Sequence, residues 1–338
     1  MDFRLGDDER ELAEGVQAMV AGRLPLERLR EREGAEEVVD ADEWAALGET
    51  GVFALTLPEP EGTGLGMTEA VVVFEQLGRA LVPGPLVGTF LAATAGLVEG
   101  SATGAARVGV HCSGNGPILV EHLTSLSALL ILPGDRRSTP RLVSPAPSSA
   151  SATRIESPLD PLGPMWRLDG LPAGEPVAGA GERLARDGAL LSAALQVGHA
   201  AESLDLAVAY AKERRQFGNP IGSFQAVKHM CADMLVRAEV ARVAVHAAAC
   251  LADAPDVVEA EAAASGATPA QTLERAVIGA KLLADEAAIA NARAAIQVHG
   301  GMGFTWEVPL HLHLKRSRVL ATTFGSPSEL AEAIAAFA

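Results

Sequence analysis

The sequence is short of aromatic residues: Phe, Trp and Tyr make up 4% of its 338 residues, with a single tyrosine. Apolar residues still account for 49%. Alanine, leucine and valine must therefore fill the core, and such side chains suit closely packed helices. Cysteine is scarce as well. Cys112, Cys231 and Cys250 show no metal-ligand spacing, which excludes a cysteine zinc site, and they read as buried reduced thiols. Basic residues are outnumbered, 27 Lys and Arg against 43 Asp and Glu, for a net charge of −16. That sign excludes a nucleic-acid partner, because nothing would neutralise the phosphates, although a local basic site can still hold an anion. No signal peptide and no apolar run long enough for a membrane span are visible, which predicts a cytoplasmic protein.

What is present divides into three regions: 1–100, 101–180 and 181–338. The first reads as helical. Asp7-Asp8-Glu9 puts negative charge at the start of a helix running through Leu12, Val16, Met19 and Val20. Glu43 to Leu47 predicts another. Thr68 is the expected N-cap of a helix carrying Val71, Val72, Phe74, Leu77 and Leu81. On that helix Glu75 and Arg79, four apart, are expected as an exposed ion pair.

In the second region, short apolar runs at Arg107 to Val110, Ile118 to Val120, Ala128 to Leu132 and Arg141 to Val143 predict a small β domain. The third region is helical again. Leu190 to Lys212 forms a long Ala-rich helix stopped by Gly218-Asn219-Pro220. Ser223 is expected to cap the next one, whose Val227, Met230, Cys231, Met234, Leu235 and Ala238 follow the spacing of a core-facing stripe. Asp253 to Pro269 reads as a helix–helix connection, and Gln271 to Arg293 as the helix after it. The expected class is mostly α with a small central β domain, closed by an antiparallel four-helix bundle.

Two motifs stand out. Glu213-Arg214-Arg215-Gln216-Phe217-Gly218, followed by Phe224-Gln225, sits at a helix C-terminus. An arginine there suits the helix dipole, and beside an aromatic ring it also makes a clamp for a phosphate and a flat ring system. The second motif is Gln297-Val298-His299-Gly300-Gly301-Met302-Gly303-Phe304, a helix end running into glycines. Glycines let the backbone take positive φ and expose its amides. The histidines do not suggest a metal: His299 reads as a packed imidazole, His311 and His313 fall on different helix faces, and Glu121-His122 is an adjacent pair, a spacing that seldom converges on a metal.

The two motifs in this order, with Leu65-Gly66 and Glu75-Gln76-Leu77-Gly78-Arg79-Ala80 upstream, resemble the acyl-CoA dehydrogenase family. The resemblance covers nearly the whole chain and is weakest between about 105 and 178. It implies an N-terminal helical domain, a β-barrel-like middle domain and a C-terminal helical bundle. It also implies FAD as cofactor, an acyl-CoA substrate, and electron-transfer flavoprotein or a similar acceptor. Arg214, Phe217, Gln225, Gln297, Gly300 and Gly301 match residues that contact a flavin held mainly by a neighbouring subunit.

In the family reaction a glutamate removes the α-proton and the β-hydrogen leaves as hydride to the flavin. That glutamate is missing. Its usual position reads Thr322-Thr323-Phe324-Gly325-Ser326, with Phe324 in place of the base. Its alternative position falls at or beside Gly188; the nearest acid, Asp187, reads as a helix N-cap. The Pro-Gly-Ser-type loop and Trp-Ile-Thr-type strand that usually cover the flavin are also absent, and Trp166 instead closes the β domain. The pattern is similar to the short, base-lacking subunit of actinobacterial heterotetramers acting on CoA thioesters of steroid side chains. It implies a paralogous catalytic partner. Two alternatives stay open: a self-sufficient homo-oligomer with an unrecognised base, for which Asp187 is a candidate, and a flavin-free structural homologue.

Overall fold

The computed structural model describes residues 6–114, 116–135 and 138–337. The described residues open with five helices, α1 (Asp7–Arg23), α2 (Leu26–Arg30), α3 (Ala41–Gly48), α4 (Met67–Arg79) and α5 (Leu86–Thr94). Local chemistry explains α3: Glu43 N donates to Asp40 Oδ1 at 2.8 Å, and Asp40 N donates back to the Glu43 carboxylate at 3.0 Å. It does not explain α4. That helix starts after Gly66, and Thr68 lies inside it rather than capping it. The cap comes from afar. The Asp253 carboxylate accepts from Met67 N and Thr68 N, both at 2.8 Å, and from the Thr68 hydroxyl at 2.7 Å.

The expected Glu75–Arg79 surface pair is likewise absent. Glu75 is buried and accepts from Arg242 Nε at 3.0 Å, with His246 at 3.6 Å. Arg79 turns to Glu202 and Asp205. Burial works to raise the Glu75 carboxyl, but the adjacent His246 ring and the charge of Arg242 prevail and hold it below the usual range. The local pairing loses because α4 is enclosed. Helix α6 (Gly181–Glu213) crosses it so closely that a Cβ on Gly78 would lie 2.2 Å from Leu195 O, and one on Gly198 2.1 Å from Glu75 O. Only glycines permit that approach.

The described residues of the central region form seven short strands: β1 (Val108–Cys112), β2 (Ile118–Glu121), β3 (Ala128–Leu132), β4 (Arg141–Val143), β5 (Ala152–Arg154), β6 (Met165–Leu168) and β7 (Glu175–Pro176). They form two sheets, ordered β1-β3-β4-β7 and β2-β6-β5. β1 and β3 run parallel, Val108 opposite Ala128, and the remaining pairs of these sheets are antiparallel. Val120, Leu129, Ile131, Trp166 and Leu168 form the shared core, so Trp166 does close this region.

After α6 comes a tight hairpin of β8 (Arg215–Gln216) and β9 (Asn219–Pro220), followed by α7 (Gln225–Ala252), α8 (Pro255–Ser265), α9 (Pro269–His299), α10 (Leu310–Leu320) and α11 (Pro327–Ala335). α6, α7, α9 and α10 pack together through small side chains such as Ala193, Ala241, Ala284 and Ala288. Three local expectations fail. Ser223 does not cap α7: its hydroxyl donates back to Pro220 O at 2.8 Å, and the helix opens after Phe224. Residues 255–265 form α8 rather than a plain connection, with Pro255 in its first turn and Gly266 at φ +73 closing it. Asp187 lies within α6, not at its start, and its carboxylate is buried against Arg186 at 2.8 Å. Burial raises the Asp187 carboxyl; the adjacent Arg186 charge opposes that rise.

Candidate functional site

The sequence-selected residues fall into two groups, one facing outward and one inward. α6 and α9 end side by side, where Tyr210 stacks on His299 with ring centroids 4.1 Å apart. His299 is packed as expected, its Nδ1 2.8 Å from Ala295 O. One turn beyond Tyr210, Arg214 closes α6, with its backbone N donating to Tyr210 O at 2.8 Å. The β8–β9 hairpin then turns on Phe217 at φ +52 and Gly218 at φ +80. Two successive positive φ values suit such a turn, but phenylalanine seldom adopts one. The turn leaves the Phe217 ring 91% exposed, edge-on to Phe224. Gln225, the first residue of α7, is exposed beside it.

The glycine motif lies at this same end. Gln297, Gly300 and Gly301 are exposed. Gly300 has φ +59, and a Cβ on Gly300 or Gly301 would meet nothing within 4 Å, so the backbone there is open to approach. Gly303 differs: its Cβ would lie 2.4 Å from Ile296 O, so its role is close packing. Phe304, the last residue of the motif, is 80% exposed. The signal was available, because an aromatic side chain following an open glycine turn has no core to enter.

Facing inward are Phe324 and Gly188, the two positions where the base is expected. They occupy one place. A Cβ on Gly188 would lie 2.1 Å from Phe324 Cε1 and 2.5 Å from Cζ. The phenyl ring, 3% exposed, is packed on the glycine and fills the space of either carboxylate. On one side of the ring is a cavity of about 60 Å³, bordered by His122, Ser192, Leu195, His199 and Arg316. A dry cavity that takes up benzene measures about 150 Å³, so this one admits neither a flavin ring nor an acyl chain. On the other side lies an open cleft of about 670 Å³ between the loops at Ser113 and Gly134 and the turn Thr322–Ser326. Of the three carboxylates lining that cleft, Glu329 is held in the capping box of α11, Asp135 by Ser138, and Glu274 projects from α9. Asp187 borders neither space.

Charge closes the small cavity. Arg316 of α10 reaches Glu121 at 2.5 Å and Asp160 at 3.4 Å, joining the bundle to the β region. Deep burial pushes His122 down to about 4, with Arg316 and Arg107 adding to the effect against Glu121. His199 and His313 face each other, Nδ1 to Nδ1 at 3.1 Å, a contact that needs one donor and one acceptor. Burial, then the Arg79 charge, lowers His313 to about 3.

These groups set an acid limit. An unfolded imidazole titrates near 6.5. Between that value and about 4 or about 3, the unfolded chain binds more protons than the folded one. The stability these groups provide is therefore complete above pH ~6.5 and is lost as pH falls toward the folded values, roughly 2 kcal/mol per imidazole by pH ~5. His122→Asn removes one of these groups and suits the left-handed φ of +57 at that position. It is expected to flatten the decline of Tm between pH ~6.5 and ~4. Equal declines in the two proteins would exclude a contribution from His122.

Comparison with known proteins follows the same lines. The description "Acyl-CoA dehydrogenase, N-terminal domain" matches residues 6–106, and "Acyl-CoA dehydrogenase, C-terminal domain" matches residues 182–338. Acyl-CoA dehydrogenase IpdE2 of Mycolicibacterium smegmatis is 34% identical over 340 residues, covering 95% of this chain and 96% of the relative. The chain belongs to the acyl-CoA dehydrogenase family. Acyl-CoA dehydrogenase FadE34 of Mycobacterium tuberculosis is also 34% identical, over 94% of this chain but 45% of its own length. Among solved structures, a chain of the Tcur3481-Tcur3483 steroid ACAD superposes with a TM-score of 0.79 at 26% identity, covering 99% of this chain and 98% of that one. The ChsE4-ChsE5 complex of Mycobacterium tuberculosis gives 0.78 at 22% identity, with the same coverage, and shares the fold.

Within the acyl-CoA dehydrogenase fold, then, this chain carries an outward aromatic and arginine edge and a filled interior. Among the described residues, no cluster of three or more His, Cys, Asp and Glu could hold a metal ion, and no helix is long and apolar enough to cross a membrane.

Proposed function

We propose that this chain is the non-catalytic subunit of a heteromeric, FAD-dependent acyl-CoA dehydrogenase. The catalytic glutamate and most of the flavin cradle come from a paralogous partner. The observation that carries this reading is the Phe324 ring packed on Gly188, because one side chain occupies both places for a base. The outward edge fits the other half of the reading. Arg214 supplies a fork of donors for a pyrophosphate, Phe217 a flat face, and the open amides around Gly300 and Gly301 further donors. Gln225 and Gln297 flank them with amide side chains. When bound, FAD accepts the β-hydrogen of the acyl thioester as hydride. This chain's own residues bind and orient, and hold no proton in that step.

FadE34 supports the pairing, since a stretch similar to this chain lies within a polypeptide about twice as long. The steroid ACAD relative points to a steroid side-chain CoA ester as substrate. We place the complex in the cytoplasm, with electron-transfer flavoprotein or a similar carrier as its acceptor.

The test is to purify the chain alone and co-expressed with its paralogous neighbour, recording flavin absorbance and turnover. The lone chain is expected to be colourless and slower by at least about 10²–10⁴-fold, the contribution of a positioned base. Full flavin content and turnover in the lone chain would refute the assignment. Asp187→Ala in the complex is expected to leave turnover within about threefold, because Arg186 and Arg183 already engage that carboxylate. Lost turnover with intact flavin would make Asp187 the base.

A further inference from the structure

The Cβ sides of Gly300 and Gly301 face open space, with nothing within 4 Å. The turn is anchored on either side of that open stretch. On one side is α9, where Gly303 also packs back on Ile296 O. The other, residues 304–309, is gripped from the opposite end of the sequence. Arg30, the last residue of α2, donates from Nη1 to Glu307 O at 3.1 Å and from Nη2 to Trp306 O. Arg30 Nε donates to Glu33 at 3.0 Å, and the other Glu33 oxygen accepts from Trp306 Nε1 at 2.6 Å. The indole is further flanked by the His311 ring at 4.3 Å and by Lys315 Nζ at 4.1 Å from its centroid. One guanidinium thus spans two successive carbonyls, and one carboxylate joins that guanidinium to the indole.

The clasp has little to do with the core. Trp306 is 56% exposed, whereas Trp44 and Trp166 are 1% and 2% exposed. Hydrogen bonds of this kind on a half-exposed ring contribute little to global stability. They do fix the direction in which the turn leaves α9, and with it the places of the Gly300 and Gly301 amides and of the Phe304 ring. A donor displaced by an ångström no longer meets its acceptor.

We propose that Arg30, Glu33 and Trp306 are positioning residues that hold the glycine turn in register with the flavin of the partner subunit. The inference rests on the flavin-contact reading above and extends it to Arg30 and Glu33 near the N-terminal end of the sequence. It is tested in the co-purified complex by removing FAD and measuring its rebinding. Arg30→Ala is expected to weaken FAD binding about tenfold. Assembly by light scattering and the Tm of the flavin-free complex, within ~2 °C, are expected to be unchanged. Arg30→Lys, which reaches one carbonyl but cannot fork, is expected to recover part of the loss. Trp306→Phe keeps the ring and loses the bond to Glu33; it is expected to weaken FAD binding about threefold, and it decides the matter if Arg30→Ala does not assemble. FAD affinity within twofold of the parent complex in these variants, with or without a lower Tm, overturns the proposal. Arg214→Ala is measured alongside. If it weakens FAD binding while the clasp variants do not, only the clasp role fails; if neither has an effect, the flavin-contact reading fails with it.

Discussion

Arg214→Ala in the assembled complex is expected to weaken FAD binding about a hundredfold while leaving the complex intact. Arg214 closes α6 with its backbone alone, and among the described residues its side chain makes no hydrogen bond or ion pair. Removing it therefore costs the fold little. Across the interface it would be desolvated against a pyrophosphate, and truncating one member of such a pair costs about 2–5 kcal/mol, partly because the other charge is left unpaired. Arg214→Lys keeps the charge and loses the bidentate fork, so an intermediate loss is expected. FAD titration of the flavin-free complex measures both. An unchanged affinity in Arg214→Ala would remove this residue from the site.

The second large effect concerns the filled interior. Gly188→Ala places a methyl 2.1 Å from the Phe324 ring, which is 3% exposed and held on backbone at φ +62. To relieve that contact the ring must rotate toward one of the spaces beside it, or α6 or the turn after α10 must shift. Overpacking of this kind costs roughly 1–3 kcal/mol, and the gain in helix propensity of about 1 kcal/mol does not offset a contact so short. Phe324→Ala removes a buried ring, for about 3–5 kcal/mol. The two changes compensate when combined, because the alanine methyl then occupies space that the ring has left. Denaturant unfolding is expected to show the double variant more stable than the sum of the single losses by at least ~1 kcal/mol. Strict additivity would mean that the two positions are not one place.

How much of this was legible in the chain depends on where each partner lies. The strands at Ile118, Ala128 and Arg141 and the long bundle helices follow from local periodicity and turn residues, and the structure has them. The expectation that this chain lacks a base comes from the substitution at Phe324. That Phe324 and Gly188 meet was not legible, because their contact is tertiary. The same reason explains the failures on α4. Thr68 and Glu75 were read by their neighbours in sequence, but Asp253 reaches the helix start from 185 positions away and Arg242 reaches Glu75 from 167. A surface rule for i, i+4 pairs presumes a surface, and α4 has almost none. The Arg30–Trp306 clasp was illegible for the same reason, with 276 positions between its members.

The most direct test of a site shared between unlike chains is the flavin stoichiometry of the co-purified complex. Protein mass fixes the amount of each chain, and absorbance of released FAD counts the cofactor. One FAD per pair consisting of this chain and its paralogue is expected, since the interior of this chain is closed by Phe324 and Gly188. One FAD for every chain would show that this subunit builds a flavin site of its own, and would contradict the division of labour proposed for the pair.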